Sequence, residues 1–198
     1  MSRIVLASQS SARRRMLAAA GVRFDCRVAA IDEASVIEAL VAEKAPGRNI
    51  ADCLAELKAL RVSQGDPDAW VIGADQVLSC GGEIFQKPGS RGGAGRQLES
   101  LRGKAHVLHS AVCVARNGQV LWRHVGEARM HMRPFSDEFL EAYLVEAGED
   151  ILGSVGAYHV EGLGIQLFSK IDGDIFTIQG LPLLALLDFL RLHQLLRS

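Results

Sequence analysis

Ile4-Val5-Leu6-Ala7-Ser8-Gln9-Ser10-Ser11-Ala12-Arg13-Arg14-Arg15 passes from an apolar run, through a serine-rich turn, into a basic helix-forming segment. Ile4–Ala7 reads as a short buried strand. Ser10 or Ser11 can cap a helix running to Ala20, with Gly21 as its stop. The same alternation continues outward. Phe24–Val28 reads as a second strand, and residues 32–64 as a helix in two pieces broken near Pro46-Gly47. Trp70–Ala74 is a third apolar run, and Val77–Cys80 leads into a Gly81-Gly82 hairpin signal. Arg91–Leu101 reads as a helix despite Gly92, Gly93 and Gly95. Lys104–Arg116 and Gln119–Met132 read as long strands joined at Asn117-Gly118. Ser136–Ala147 is a helix with Asp137 and Glu138 in its first turn. Ile165–Ile171 and Ile175–Ile178 read as strands around Asp172-Gly173, before a final helix from Pro182. Hairpins mixed with strand–helix alternation predict an α/β fold: a mixed twisted sheet with flanking helices, in a single domain over 1–198.

Composition narrows the function. The 198 residues are 48% hydrophobic and 23% charged, as expected of a globular chain. A net charge of -1 gives no global basic field for a nucleic acid polymer, and 6% aromatics gives little base stacking. Phosphate binding, if present, must be local. Cys26, Cys53, Cys80 and Cys113 form no C-x-x-C pair, so zinc-ribbon and thiol-redox chemistry are unsupported. His106 and His109 lie three apart in a strand, on opposite faces, and read as structural. The leucine-rich 181–196 segment is interrupted by Asp188, Arg191 and His193, which suits a core-packed amphipathic helix. With no secretory signal and no membrane-length apolar run, the expected setting is a reducing cytoplasm, away from membranes.

Five local patterns could carry chemistry. At Ser8–Arg15 a helix N-terminus offers unpaired N–H groups to an anion, Ser8 and Ser10 add hydroxyls, and Arg13 can fork onto phosphate oxygens. An ordinary capped helix explains the same residues. Asp32-Glu33 could hold a hard cation or simply favour a helix start. Gly73-Ala74-Asp75-Gln76 ends an apolar strand, where crevices form in α/β folds, with a turn aspartate as the plain alternative. Lys87, fixed by Pro88, and Lys58, in a mid-chain helix, could each meet phosphate or solvent. In His159-Val160-Glu161-Gly162-Leu163-Gly164, the glycines permit close backbone approach and the carboxylate could accept from a base edge. Neither a Walker A loop nor a G-x-G-x-x-G motif is present.

Taken in order, these pieces resemble the Maf family of nucleoside triphosphate pyrophosphatases. The matching motifs are Leu6-Ala7-Ser8-x-Ser10-x-x-Arg13, Ile31-Asp32-Glu33, Lys58-Ala59, Ile72-Gly73-Ala74-Asp75 and Lys87-Pro88. Gly103-x-x-His106, Glu161-Gly162-Leu163-Gly164 and Ile178-x-Gly180-Leu181-Pro182-Leu183 complete the set. The resemblance implies two lobes around a central cleft, as in the inosine triphosphate pyrophosphatases, a homodimer, and a magnesium or manganese ion. It implies Asp75 as general base, Glu33 at metal or catalytic water, and Ser8, Ser10, Arg13, Lys58 and Lys87 around the triphosphate. Glu33 and Asp75 are then the expected metal ligands. Arg13, Gln76 and Glu161 bear on specificity: the pyrimidine-selective branch usually has Thr and Gln at the last two positions. Gln76 and Glu161 resemble the 7-methyl-GTP branch, whose guanine edge offers two donors to one carboxylate. Departures are Ser11 for a frequent Pro, Ala12 for a bulkier neighbour and Ser154 for a frequent Lys. The competing readings are a dTTP/UTP or broad-specificity pyrophosphatase, and a nucleotide-binding, non-enzymatic regulator of cell division.

Overall fold

The computed structural model describes residues 3–197. In chain order it contains β1 (Ile4–Ala7), α1 (Ser11–Ala19), β2 (Asp25–Cys26), α2 (Glu33–Ala42), α3 (Gly47–Gln64), β3 (Trp70–Cys80) and β4 (Glu83–Phe85). α4 (Arg91–Leu101), β5 (Ala105–Arg116), β6 (Gln119–Met132), α5 (Asp137–Ala147), β7 (Phe168–Asp172), α6 (Ile175–Ile178) and α7 (Leu183–Leu192) follow. The seven strands form a mixed sheet in the order β2-β1-β3-β5-β6-β7, with β4 paired to β3. β1 runs parallel to β2 and β3, whereas β4 on β3 and β7 on β6 are antiparallel. The fold is therefore α/β with a mixed sheet and flanking helices, as expected.

The chain divides into two compact units, one of residues 3–76, 109–126 and 175–197, the other of 77–108 and 127–174. In the first unit, strand alternation sorts two packing layers. Ile4 and Leu6 of β1, with Trp70, Ile72 and Ala74 of β3, face Met16, Leu17 and the α7 residues Leu186, Phe189 and Leu190. Val5, Ala7 and Val71 face the other way, against Val62 of α3. α3 lies very close to β3 because residue 73 is glycine. A Cβ there would sit 2.2 Å from the Ala55 carbonyl oxygen and 2.6 Å from the Ala59 nitrogen. The second unit buries Leu78, Leu98, Leu101, Met130, Leu144 and Leu167. In it the Tyr158 hydroxyl lies 2.7 Å from His106 Nε2.

Several boundaries differ from the sequence expectation. β3 is one continuous strand of 11 residues, so Ala74-Asp75-Gln76 lies within it. Only Asp25–Cys26 pairs as β2, and both residues are exposed, which keeps an edge strand short. Residues 163–167 form a 3₁₀ turn, and only 168–172 are extended. Ile175–Ile178 is a helical turn, not a strand. A four-residue apolar run does not distinguish the two states. Here local bonds close the turn, from Gly180 N to Thr177 O and from Leu181 N to Phe176 O. Among the described residues no helix is long and apolar enough to cross a membrane, and all four cysteines are free.

Candidate active site

The register of β1 on β3 sets Ala7 opposite Gly73. The turn that leaves β1 therefore starts beside Ala74 and Asp75. Ser10 caps α1, its Oγ accepting from Arg13 N at 3.3 Å. Ser8 Oγ accepts from Ser10 N at 3.2 Å and from Arg13 Nη1 at 3.2 Å. Both hydroxyls thus organise the turn, Ser10 as the capping reading expects and Ser8 in addition. Arg13 is buried, and it binds backbone carbonyls: Nε donates to Gly180 O at 2.8 Å and Nη1 to Ala74 O at 2.9 Å. Burial lowers the guanidinium pKa from its ordinary value, and the charges of Asp75 and then Glu33 oppose that shift.

Asp75 and Gln76 are consecutive in a strand, so they leave on opposite faces. Asp75 points to the α3 side. There Lys58 Nζ donates to Asp75 Oδ1 at 2.5 Å and lies 3.0 Å from Glu33 Oε2. Lys58 and Asp75 are both buried at 7% exposure, while the Glu33 side chain is about half exposed, at 48%. One ammonium therefore bridges a buried and a solvent-reaching carboxylate. The Asp32-Glu33 pair divides its roles. Asp32 caps α2, accepting from Ser35 N at 3.1 Å and Ser35 Oγ at 2.7 Å. The Ser35 hydroxyl, ahead of its backbone N–H, holds the Asp32 carboxyl below its ordinary pKa. Glu33 starts the helix and carries the contact to Lys58.

Gln76 points to the other face, as Ala74 does. Its Nε2 donates to Ser110 Oγ at 2.9 Å, Ile178 O at 2.9 Å and Thr177 O at 3.2 Å. Ser110 Oγ in turn donates to Thr177 O at 2.7 Å. Ser110, a lone hydroxyl in an apolar strand, carries no local signal in the sequence, and neither does Gly180, whose φ of +96° brings its carbonyl to Arg13.

Lys87 and Glu161 belong to the second unit. Lys87 is exposed and lines an open pocket of about 360 Å³ with Phe85, Pro88, Gly93 and Arg96. Gly93 lets α4 approach this segment, since a Cβ there would lie 2.3 Å from the Pro88 carbonyl oxygen. Glu161 is exposed on a turn closed by Gly162 N to His159 O at 3.2 Å. Gly164 is required next to it, because a Cβ would come within 2.6 Å of the same oxygen. Ser8, Ser10, Arg13, Glu33, Lys58, Asp75 and Gln76 are thus all gathered on the first unit.

The site is thus built on a mixed α/β fold in which Lys58 of α3 joins Asp75 of β3 to Glu33 at the start of α2. The chain belongs to the Maf family: the Maf-like protein family matches residues 3–193. It is similar to a nucleoside triphosphate pyrophosphatase of Paramagnetospirillum magneticum, 54% identical over 94% of this chain and 96% of that one. A nucleoside triphosphate pyrophosphatase of Caulobacter vibrioides is 52% identical over 96% of this chain and 95% of that one. A 7-methyl-GTP pyrophosphatase of Brucella abortus is 51% identical, again over 96% and 95%.

Proposed function

We propose that this chain is a nucleoside triphosphate pyrophosphatase that hydrolyses the α–β phosphoanhydride, with 7-methyl-GTP as its preferred substrate, and so clears modified nucleotides. The observation that carries the reading is the Lys58 bridge between Asp75 and Glu33. Asp75 accepts the proton of the attacking water as the new P–O bond forms. The α–β bond breaks, pyrophosphate leaves, and the nucleoside monophosphate remains. Lys58 holds the Asp75 carboxylate in place by its 2.5 Å bond, which removes the freedom a base on a loop would have. Lys87 offers charge to the phosphates, and the Ser8–Arg13 turn its donors.

The carboxylates suit a hard divalent cation shared with the nucleotide. Glu33 and Asp75 converge on one ammonium, and no group of three His, Cys, Asp or Glu side chains able to hold a metal occurs among the described residues. Two carboxylates completed by phosphate oxygens is a common arrangement for magnesium, and manganese accepts the same oxygen donors. Such an ion, when bound, neutralises charge on the phosphates. A homodimer is proposed as well, in keeping with Leu184 and Leu192 exposed at 61% and 79% on α7. A reducing cytoplasm fits the four free cysteines.

Glu161 is assigned to the guanine edge, where one carboxylate accepts from N1–H and the amino group. Methylation at N7 places positive charge on the base, which strengthens that pull. Uracil and thymine present one donor between two carbonyls, which a carboxylate repels. The second reading, a dTTP/UTP or broad-specificity enzyme, is supported by the general nucleoside triphosphate names of two relatives. Pyrophosphate release from 7-methyl-GTP, GTP, UTP, dTTP and CTP separates the two. Preference for 7-methyl-GTP, reduced about tenfold or more in Glu161→Gln, is expected. Preference for UTP or dTTP, or selectivity unchanged by that substitution, contradicts the assignment.

A further inference from the structure

Helix α4 carries a polar face beside the one it packs. Ala94, Leu98 and Leu101 are fully buried. Gly93, Arg96, Gln97 and Ser100, spaced i, i+3, i+4 and i+7, share a neighbouring face and line the open pocket that Lys87 also lines. That pocket presents two cations, an amide and a hydroxyl, with no carboxylate among its described lining residues. The other arginines of this helix and its end each have an acid: Arg91 pairs with Glu141 at 3.5 Å and Arg102 with Asp137 at 2.6 Å. Arg96, between them, has no carboxylate partner among the described residues, and neither has Lys87. The Arg96 guanidinium folds back along the helix, since a Cβ built at Gly92 would lie 3.6 Å from its Nη1. The segment carrying Lys87 rests on the same turn, at Gly93, where a Cβ would lie 2.3 Å from Pro88 O. Gln97 ties that segment down: its Nε2 donates to Gln86 O at 2.5 Å and its Oε1 accepts from Gly156 N at 3.1 Å. A carbonyl only accepts and a backbone N–H only donates, so this amide has one orientation.

We infer that Arg96 is a further phosphate-binding residue, paired with Lys87 in a receptor for the terminal phosphates of the nucleotide, the group that departs as pyrophosphate. That the ligand is a nucleotide rests on the function proposed above. All the residues of this receptor belong to the second unit. Two cations without counter-charges in one concavity repel each other until an anion joins them. A guanidinium can fork onto two phosphate oxygens, where an ammonium supplies a point charge. A diphosphate offers a charged centre to each cation, and orthophosphate offers only one.

Calorimetric titration of inorganic pyrophosphate into the full chain, without added metal, reads this pocket apart from turnover. Wild type is expected to bind pyrophosphate, and orthophosphate about tenfold more weakly. Arg96→Gln should weaken pyrophosphate about tenfold, and Arg96→Lys, which keeps the charge and loses the fork, about threefold. Arg96 is exposed, so both variants are expected to melt with wild type. Arg91→Gln removes the same charge from the same helix, but from a residue paired with Glu141, and should change binding by less than about twofold. No pyrophosphate binding by wild type, equal affinity for orthophosphate, or equal effects of Arg96→Gln and Arg91→Gln overturns the inference. Pyrophosphate binding that depends on Arg96, with no triphosphate hydrolysed by wild type, would leave the receptor standing and remove the enzymatic reading instead. Hydrolysis of triphosphates with pyrophosphate binding indifferent to Arg96 would do the reverse.

Discussion

At the residue scale the central relationship is between Lys58 and Asp75. Both are buried, and each is the other's counter-charge. Removing one member of such a pair leaves an uncompensated charge out of water, which costs about 3–5 kcal/mol. Lys58→Met is therefore expected to lower the urea unfolding midpoint by an amount of that order, and Lys58→Met with Asp75→Asn to recover part of it. A single substitution with no measurable stability loss would show that the contact carries no such energy. The sequence made Asp75 legible, since an acid ending an apolar strand is conspicuous. It left Lys58 ambiguous, because a lysine in a helix is usually solvated. Only the approach of α3 to β3 turns it inward. Arg13 was legible as a cation one turn into α1, but its burial and its ties to the Gly180 and Ala74 carbonyls depend on contacts 167 and 61 residues away. No local pattern encodes them.

At the scale of elements, Gly73 decides how α3 meets β3. Gly73→Ala would place a methyl group 2.2 Å from the Ala55 carbonyl oxygen, and backbone must move to admit it. Overpacking of this kind costs about 1–3 kcal/mol, and the displaced helix carries Lys58 with it. Thermal unfolding is expected several degrees lower, with activity lost beyond what the stability change explains. Gly65→Ala serves as a control, since its Cβ would meet only Val62 O at 3.7 Å. Equal behaviour of the two variants would contradict this account of α3. The elements themselves were largely readable: a cap at Ser10 and turns at Gly81-Gly82 and Asn117-Gly118 mark their ends. Ile175–Ile178 was not. Its apolar composition fits a strand, and local backbone bonds close the turn while Gln76 and Ser110 donate to its Thr177 carbonyl.

At the scale of the whole molecule, acid stability has an identifiable contributor. His106 is 1% exposed, and burial, then the charge of His131, lowers its pKa from 6.5 to about 4. Burial pushes the Tyr158 hydroxyl pKa up, so a neutral hydroxyl lies 2.7 Å from His106 Nε2. Between those two pH values the unfolded chain binds a proton that the folded chain refuses. Stability is thus fully present above pH 6.5 and falls as pH drops toward 4. The loss approaches about 3 kcal/mol, at ~1.4 kcal/mol per pH unit. His106→Gln should lose less stability than wild type between pH 7 and 4.5 in urea titrations. Parallel losses would remove His106 as the source.

The class of fold and the family were legible because the motifs recur in order along nearly the whole chain. The division of labour between Asp32 and Glu33, or between Gln76 and Ser110, was not, since it depends on which face each side chain leaves. The measurement that bears most directly on the proposed chemistry compares wild type with Asp75→Asn, quantifying monophosphate and pyrophosphate from 7-methyl-GTP with magnesium or manganese present. The account predicts equimolar products from wild type, and a rate lower by about 10²–10⁴ in Asp75→Asn with the fold and nucleotide binding retained. Full activity in the variant, or orthophosphate in place of pyrophosphate from wild type, would contradict it.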